Sequence, residues 1–173
     1  AFVKEGGTIT AGNASFLTDG AAAVLIMTED KAKELGLTPK AVLHSYTFVG
    51  CDLQEELLLG PTYAISKLLK QQNMSLSDID VFEIHEAFAG QVVANLKCLA
   101  SDEFAKTKLG RDKAVGVIPM EKVNLWGGSL SLGHPFGATG ARLVTTAANR
   151  LHKEGGRYAL LAACAAGAHG HAM

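Results

Sequence analysis

The sequence predicts a layered α/β domain, with helices on both faces of a mixed, mostly parallel sheet of about five strands. Three observations carry this. Short apolar runs of strand length alternate with longer runs of helical period. Residues 158–164, YALLAAC, are continuously apolar, as a strand buried on both faces should be. Breaking residues such as Gly36, Pro39, Pro61 and Gly155-Gly156 fall between the runs.

Taken in order, the first residues suggest a loop entering a strand near 8–11, then a turn at 18–20 and an apolar strand over 21–28. A helix of about two turns is expected over 29–35. Gly36 stops it, and Thr38-Pro39 forbids its continuation. Residues 41–49, AVLHSYTFV, are rich in β-branched and aromatic side chains and read as strand. Pro61 suits the first turn of a helix over 61–72, whose buried stripe is Tyr63, Ala64, Leu68 and Leu69. Ser77-Asp78 breaks the chain before a strand at 81–84, and 85–100 repeats Phe88, Val92, Leu96 and Leu99 at helical spacing. Residues 101–114 read as a polar loop and 115–123 as a short extended segment. A long helix over 137–153 turns Leu143, Val144, Ala147, Ala148 and Leu151 inward and ends at Gly155-Gly156. CAAGAHG at 164–170 reads as a hairpin turn, and the returning strand stops after a few residues. An edge strand cut that short is expected of a fragment.

With 173 residues, 48% of them hydrophobic, the chain can build one domain with a real core. A net charge of −1 lacks the basic face that nucleic-acid binding needs. Cys51, Cys98 and Cys164 form no CxxC pair, which fits a reducing compartment better than secretion. Residues 1–15 carry Lys4 and Glu5 and no apolar run, so nothing there resembles a signal peptide.

Several residues could carry chemistry. Cys164 closes a buried strand; such thiols are commonly inert, but Ala165-Ala166-Gly167 places donating backbone beside it. His134 sits among Gly127, Gly128, Gly133, Gly137 and Gly140, a cluster that allows close backbone approach to a ligand and fits neither common nucleotide-binding glycine pattern. His85-Glu86 lies at a strand-to-helix junction, where α/β sheets gather ligands, although a capping pair would look the same. His169 and His171 with Cys164 fit no common zinc spacing, so no metal is expected. Cys51 and Cys98 read as structural.

Four segments, AGNASFLTDGAAAVLI at 11–26, HEAF at 85–88, NLWGGSLSLGHPFGATGAR at 124–142 and CAAGAHG at 164–170, together resemble the C-terminal half of a thiolase in order and spacing. His85, where most thiolases have Asn, resembles the branch serving the mitochondrial trifunctional fatty-acid oxidation complexes and its bacterial relatives. The resemblance implies a thiolase-like half, layered α-β-α. It implies thiolytic cleavage of 3-ketoacyl-CoA to acetyl-CoA and a shortened acyl-CoA, with coenzyme A as substrate and no permanently bound cofactor.

It also implies roles. His134 activates the nucleophile and holds the enolate oxygen. Cys164 protonates the enolate and then deprotonates incoming CoA. His85 donates in the oxyanion hole, and the Ala166 N–H completes a second one where the family usually has glycine. Ala168 also replaces a usual glycine. Ala11, Ser15 and Phe88 line the substrate and CoA channel. Neither Cys51 nor Cys98 has the nucleophile's small-residue surroundings. The resemblance therefore places the nucleophile, and much of the CoA grip, in an N-terminal half outside residues 1–173, and implies that this chain alone is inactive. It further implies a mitochondrial protein that pairs as a homodimer and with a hydratase/dehydrogenase subunit. Three other readings stay open: a non-catalytic acyl-CoA-binding or assembly module, a decarboxylating condensing enzyme, against which Cys164 argues, and an unrelated Cys–His hydrolase.

Overall fold

The computed structural model describes residues 2–173. Its sheet has four strands: β1 (Thr47–Gly50), β2 (Val81–Ile84), β3 (Ala159–Ala165) and β4 (His169–Ala172), in the order β1-β4-β3-β2. Only β2 and β3 run parallel; β3 with β4 and β1 with β4 are antiparallel. The layered α/β class holds, with four strands instead of five and a sheet that is not mostly parallel. The returning strand β4 is an interior strand, paired on both sides, and not the expected edge.

Two helices clamp the sheet. Helix α2 (Gly60–Gln72) and helix α3 (Ala89–Leu99) supply Ile65, Leu68, Leu69, Val92 and Leu99 to one core with Phe82, Ile84, Leu160 and Ala162. Burying each of these larger side chains is worth about 1.5–3 kcal/mol. The opposite face of β3 presents Leu161 to Leu143 and Ala147 of the 18-residue helix α6 (Gly137–Glu154). Alternation along β2 and β3 thus sends one residue to each helical layer in turn. At Gly60 and Gly170 the backbones of α2 and β4 touch, and a Cβ on either glycine would overlap the other backbone.

Other expectations need correction. Helix α1 (Glu29–Glu34) forms as read, capped by the Thr28 hydroxyl. Residues 8–11 lead into a 3-10 turn, Ala11–Asn13, instead of a strand. Residues 21–28 make no ladder, and Leu25 and Ile26 are 79% and 76% exposed. Apolar β-formers become a strand only where a neighbouring backbone accepts their hydrogen bonds. The run at 41–49 pairs only from Thr47 onward, with Thr47 opposite Ala172.

The polar stretch after α3 holds helix α4 (Asp102–Lys108), with Ser101 Oγ accepting from the Phe104 N–H, acids in its first turn and lysines in its last. Within 115–123, read as a short extended segment, there is a 3-10 turn, Met120–Lys122, and one bridge from Val123 to Phe82. Asn124 then completes the edge of β2. Its N–H donates to Phe82 O, its Oδ1 accepts from the Ile84 N–H, and its Nδ2 donates to Ile84 O.

Beneath α6, Arg150 and Glu83 form an ion pair of 2.8 Å with both side chains 0% exposed. Arg150 also donates to Phe82 O and Lys122 O and meets Glu154 at 2.9 Å. Burial pushes the Glu83 carboxyl up, and the Arg150 hydrogen bond pulls against it. Removing the cation strands a carboxylate in the core. Arg150→Met is expected to cost about 3–5 kcal/mol in urea unfolding, and Arg150→Met with Glu83→Gln to recover most of that. Equal losses in the single and double variants would assign the cost to packing instead.

Candidate active site

The carboxyl ends of β2 and β3 carry the expected residues. His85 follows Ile84 directly, and its N–H donates to Ala162 O at 2.8 Å, prolonging the parallel ladder by one bond. In that register Ile84 lies opposite Ala162, so Cys164, two residues further on, sits at the same end of the sheet as His85. The segment 127–139 folds over this end. It contains helix α5 (Ser129–Leu132), the Gly133-His134-Pro135 turn and the start of α6.

His85 and His134, 49 positions apart in sequence, come together with ring centroids 4.3 Å apart and planes tilted by 43°. His85 is buried, and its Nδ1 lies 2.8 Å from Ser129 Oγ. His134 Nδ1 lies 2.6 Å from Thr139 Oγ1, and the Phe136 ring meets the His134 imidazole edge-on at 4.7 Å. Phe136 takes a φ of 35°. A bulky residue in that region is strained by about 1–3 kcal/mol, a cost borne where the backbone must turn sharply.

Glu86 braces the assembly. Its carboxylate accepts from Asn124 Nδ2 at 2.6 Å and from the Leu130 N–H at 3.0 Å. It lies so close under Gly128 that a Cβ there would overlap it. The HEAF and GGSLSLG segments are therefore pinned by one carboxylate and one glycine.

The N-terminal segment completes the wall. Ala14 bridges Phe88, the Ser15 N–H donates to Ala87 O, and the His134 N–H donates to Phe16 O. Ser15 and Phe88 thus stand beside the histidines, while Ala11 is exposed in the 3-10 turn just before. Ala166 is exposed at the tip of the β3–β4 hairpin, and Ala168 is buried there at a φ of 55°, the left-handed region that glycine prefers. No hydrogen bond joins Cys164 to either imidazole among the described residues. Cys51 donates its N–H to Ala168 O, and Cys98 lies on α3; neither joins the histidine pair.

The electrostatics favour uncharged groups. Burial, with His134 and Arg142 nearby, pushes His85 down to about 4. Burial and Arg142 also lower His134, and burial pushes the Cys164 thiol up. Arg142 Nη2 lies 3.3 Å from Ser129 Oγ, while its buried Nε and Nη1 have no partner among the described residues. Ser129, Thr139 and Arg142 were not singled out from sequence. Thr139 and Arg142 are three apart on α6 and so share a face, a signal that was readable once the helix start was placed.

His85 is expected to stay neutral through the mildly acidic range, with a midpoint near 4 in an NMR titration of its ring. Its folded value lies below the unfolded 6.5, so the folded chain binds fewer protons between the two. Stability should then fall as pH drops from 6.5 towards 4, by up to about 1.4 kcal/mol per pH unit from this residue. His85→Asn should flatten that component; an unchanged slope would place His85 in water.

Comparison with known proteins gives a consistent picture. The family model "Thiolase, C-terminal domain" matches residues 37–173, and "Thiolase, N-terminal domain" matches residues 1–30. The chain is 62% identical over its whole length to "Trifunctional enzyme subunit beta, mitochondrial" of Bos taurus, and covers 36% of that protein. It is 59% identical, again over its whole length, to "Probable 3-ketoacyl-CoA thiolase" of Caenorhabditis elegans, covering 39%. Little more than a third of each relative's length is therefore spanned. Among solved structures, the Bacillus anthracis acetyl-CoA acetyltransferase superposes at TM-score 0.80 with 38% identity, over 95% of this chain and 37% of that one. The human mitochondrial 3-ketoacyl-CoA thiolase in complex with CoA gives 0.78 and 37%, over 98% of this chain and 38% of that one. A C-terminal-domain match running from residue 37 to the last residue, with relatives this similar from end to end, makes the chain a member of the thiolase family.

Proposed function

We propose that residues 1–173 are the C-terminal portion of a 3-ketoacyl-CoA thiolase, an acetyl-CoA C-acyltransferase of fatty-acid β-oxidation. The observation that carries the proposal is the close pair of imidazoles, His85 and His134, at the sheet end that also holds Cys164. The identity to proteins named 3-ketoacyl-CoA thiolase and trifunctional enzyme subunit beta supports the substrate class.

In this reading a cysteine outside these residues attacks the keto carbon and keeps the acyl group as a thioester. His134 takes the proton from that nucleophile and then faces the enolate oxygen of the leaving acetyl-CoA. The buried Cys164 thiol, held protonated by its raised pKa, gives its proton to the enolate carbon and recovers one from incoming CoA. Neutral His85 donates a hydrogen bond in the oxyanion hole, at the position where most thiolases use Asn to fix a water there. The Ala166 N–H serves the second oxyanion hole, Ala11 and Ser15 line the pantetheine channel, and Phe88 belongs to the substrate and CoA site. CoA is the substrate, in keeping with the CoA-bound relative. The complete protein works on the matrix side of the mitochondrial inner membrane as a homodimer joined to a hydratase/dehydrogenase subunit; the name "Trifunctional enzyme subunit beta, mitochondrial" supports the mitochondrial setting and a place in a larger assembly.

Acetyl-CoA release from 3-ketoacyl-CoA and CoA by the complete protein is the direct test. Cys164→Ala is expected to lower kcat about 10²- to 10⁴-fold while substrate binding changes little. Cys164→Ser should fail similarly, because its hydroxyl is far less acidic. A serine variant near wild-type rate would make Cys164 structural.

His85→Asn should retain a good part of the activity, since Asn also donates. His85→Ala should lose about 2.7–4 kcal/mol of transition-state stabilisation, read from kcat/KM. An alanine variant as fast as wild type would make His85 a packing residue.

A further inference from the structure

We propose that Arg142 and Ser129 act as positioning residues that fix His85 as its Nε2–H tautomer, so that the ring always presents a hydrogen-bond donor to the site. The inference rests on the reading of His85 as an oxyanion donor, and deepens it.

The argument is one of donors and acceptors. A guanidinium only donates. Arg142 Nη2 lies 3.3 Å from Ser129 Oγ, so the serine oxygen is the acceptor of that contact. Ser129 is fully buried, and its Oγ also lies 2.8 Å from His85 Nδ1. No other hydrogen bond of the Ser129 hydroxyl is found among the described residues, so its hydrogen turns to Nδ1. Nδ1 must then be unprotonated, and the single proton of the neutral ring sits on Nε2.

In the reverse arrangement, with Nδ1–H donating to serine, both lone pairs of that oxygen would be taken up as acceptors. The serine hydrogen would then be buried without an acceptor, at the full cost of an unpaired polar group. Nε2 lies on the far edge of the ring from Ser129 and has no protein partner among the described residues. That edge is the one left for a ligand oxygen. The wrong tautomer would aim a lone pair at it, turning attraction into repulsion. Asn, the usual family residue here, carries its NH2 donor without such control, so the relay is a requirement introduced by histidine. The Arg142 charge lies beside both rings and further disfavours an imidazolium at either.

The complete enzyme labelled with 15N-histidine reads the tautomer directly from long-range 1H–15N correlations at pH 7, with His85→Asn assigning the signal. The expected spectrum has an unprotonated Nδ1 and a protonated Nε2, and a shift towards a tautomer mixture in Ser129→Ala and in Arg142→Gln. kcat should fall at least about tenfold in each, with KM little changed. In a His85→Asn background the Ser129→Ala loss should shrink to a small part of that.

A protonated Nδ1 in the unmodified enzyme would overturn the relay, as would losses from Ser129→Ala and His85→Asn that simply multiply. The spectrum needs no turnover. An enzyme without thiolase activity but with the expected tautomer would sink the functional reading and leave the relay standing.

Discussion

The arrangement hangs on the side-chain amide of Asn124. A strand edge leaves backbone donors and acceptors unpaired, and a buried edge must satisfy them. At β2 this is done by one residue: Asn124 meets Ile84 with both ends of its amide, while its own N–H meets Phe82 O. The same Nδ2 reaches Glu86, and Glu86 in turn holds the Leu130 N–H. The sheet edge, the base of the HEAF loop and the segment carrying Ser129 and His134 are therefore one hydrogen-bonded unit. His85 lies between Ile84 and Glu86, two of the residues that Asn124 grips, so its backbone is held on either side.

Within that frame the site is built to keep its titrating groups uncharged. Burial is the main cause at His85, His134 and Cys164, and Arg142 adds to it at the two histidines. A fully buried ion pair stands elsewhere, between Arg150 and Glu83 under α6, where the cation has several oxygen partners. The two arginines of α6 thus play different parts: Arg150 is saturated and structural, while Arg142 keeps two donors unspent next to the histidines. The strained Phe136 turn fits the same pattern, for it delivers His134 and starts the helix that carries Thr139 and Arg142.

What could be read from the sequence follows from the range of each interaction. Helices α2 and α6 and strands β2 and β3 were legible because their apolar spacing records their own packing. The short α4 was legible in principle, in Ser101 with its acids and lysines, but its polar surface hid it. Residues 21–28 look like a strand yet pair with nothing described, since β-propensity is realised only with a neighbour. The edge of β2 is closed by the Asn124 side chain, which no periodicity reveals. In the candidate site the glycine-rich turn and HEAF stood out, and with them His134 and His85. Ser129 and Arg142 did not, because their importance lies in a chain of contacts between segments.

The crossing of α2 and β4 at Gly60 and Gly170 bears on how the site can move. Most helix–sheet contacts are cushioned by side chains, which change rotamer and absorb small displacements. Here backbone rests on backbone, with no room for even a methyl group between them. Helix and strand are coupled as rigid parts of one lever. A displacement of α2 at Gly60 bears directly on Gly170, which stands opposite Cys164 in the β3–β4 ladder.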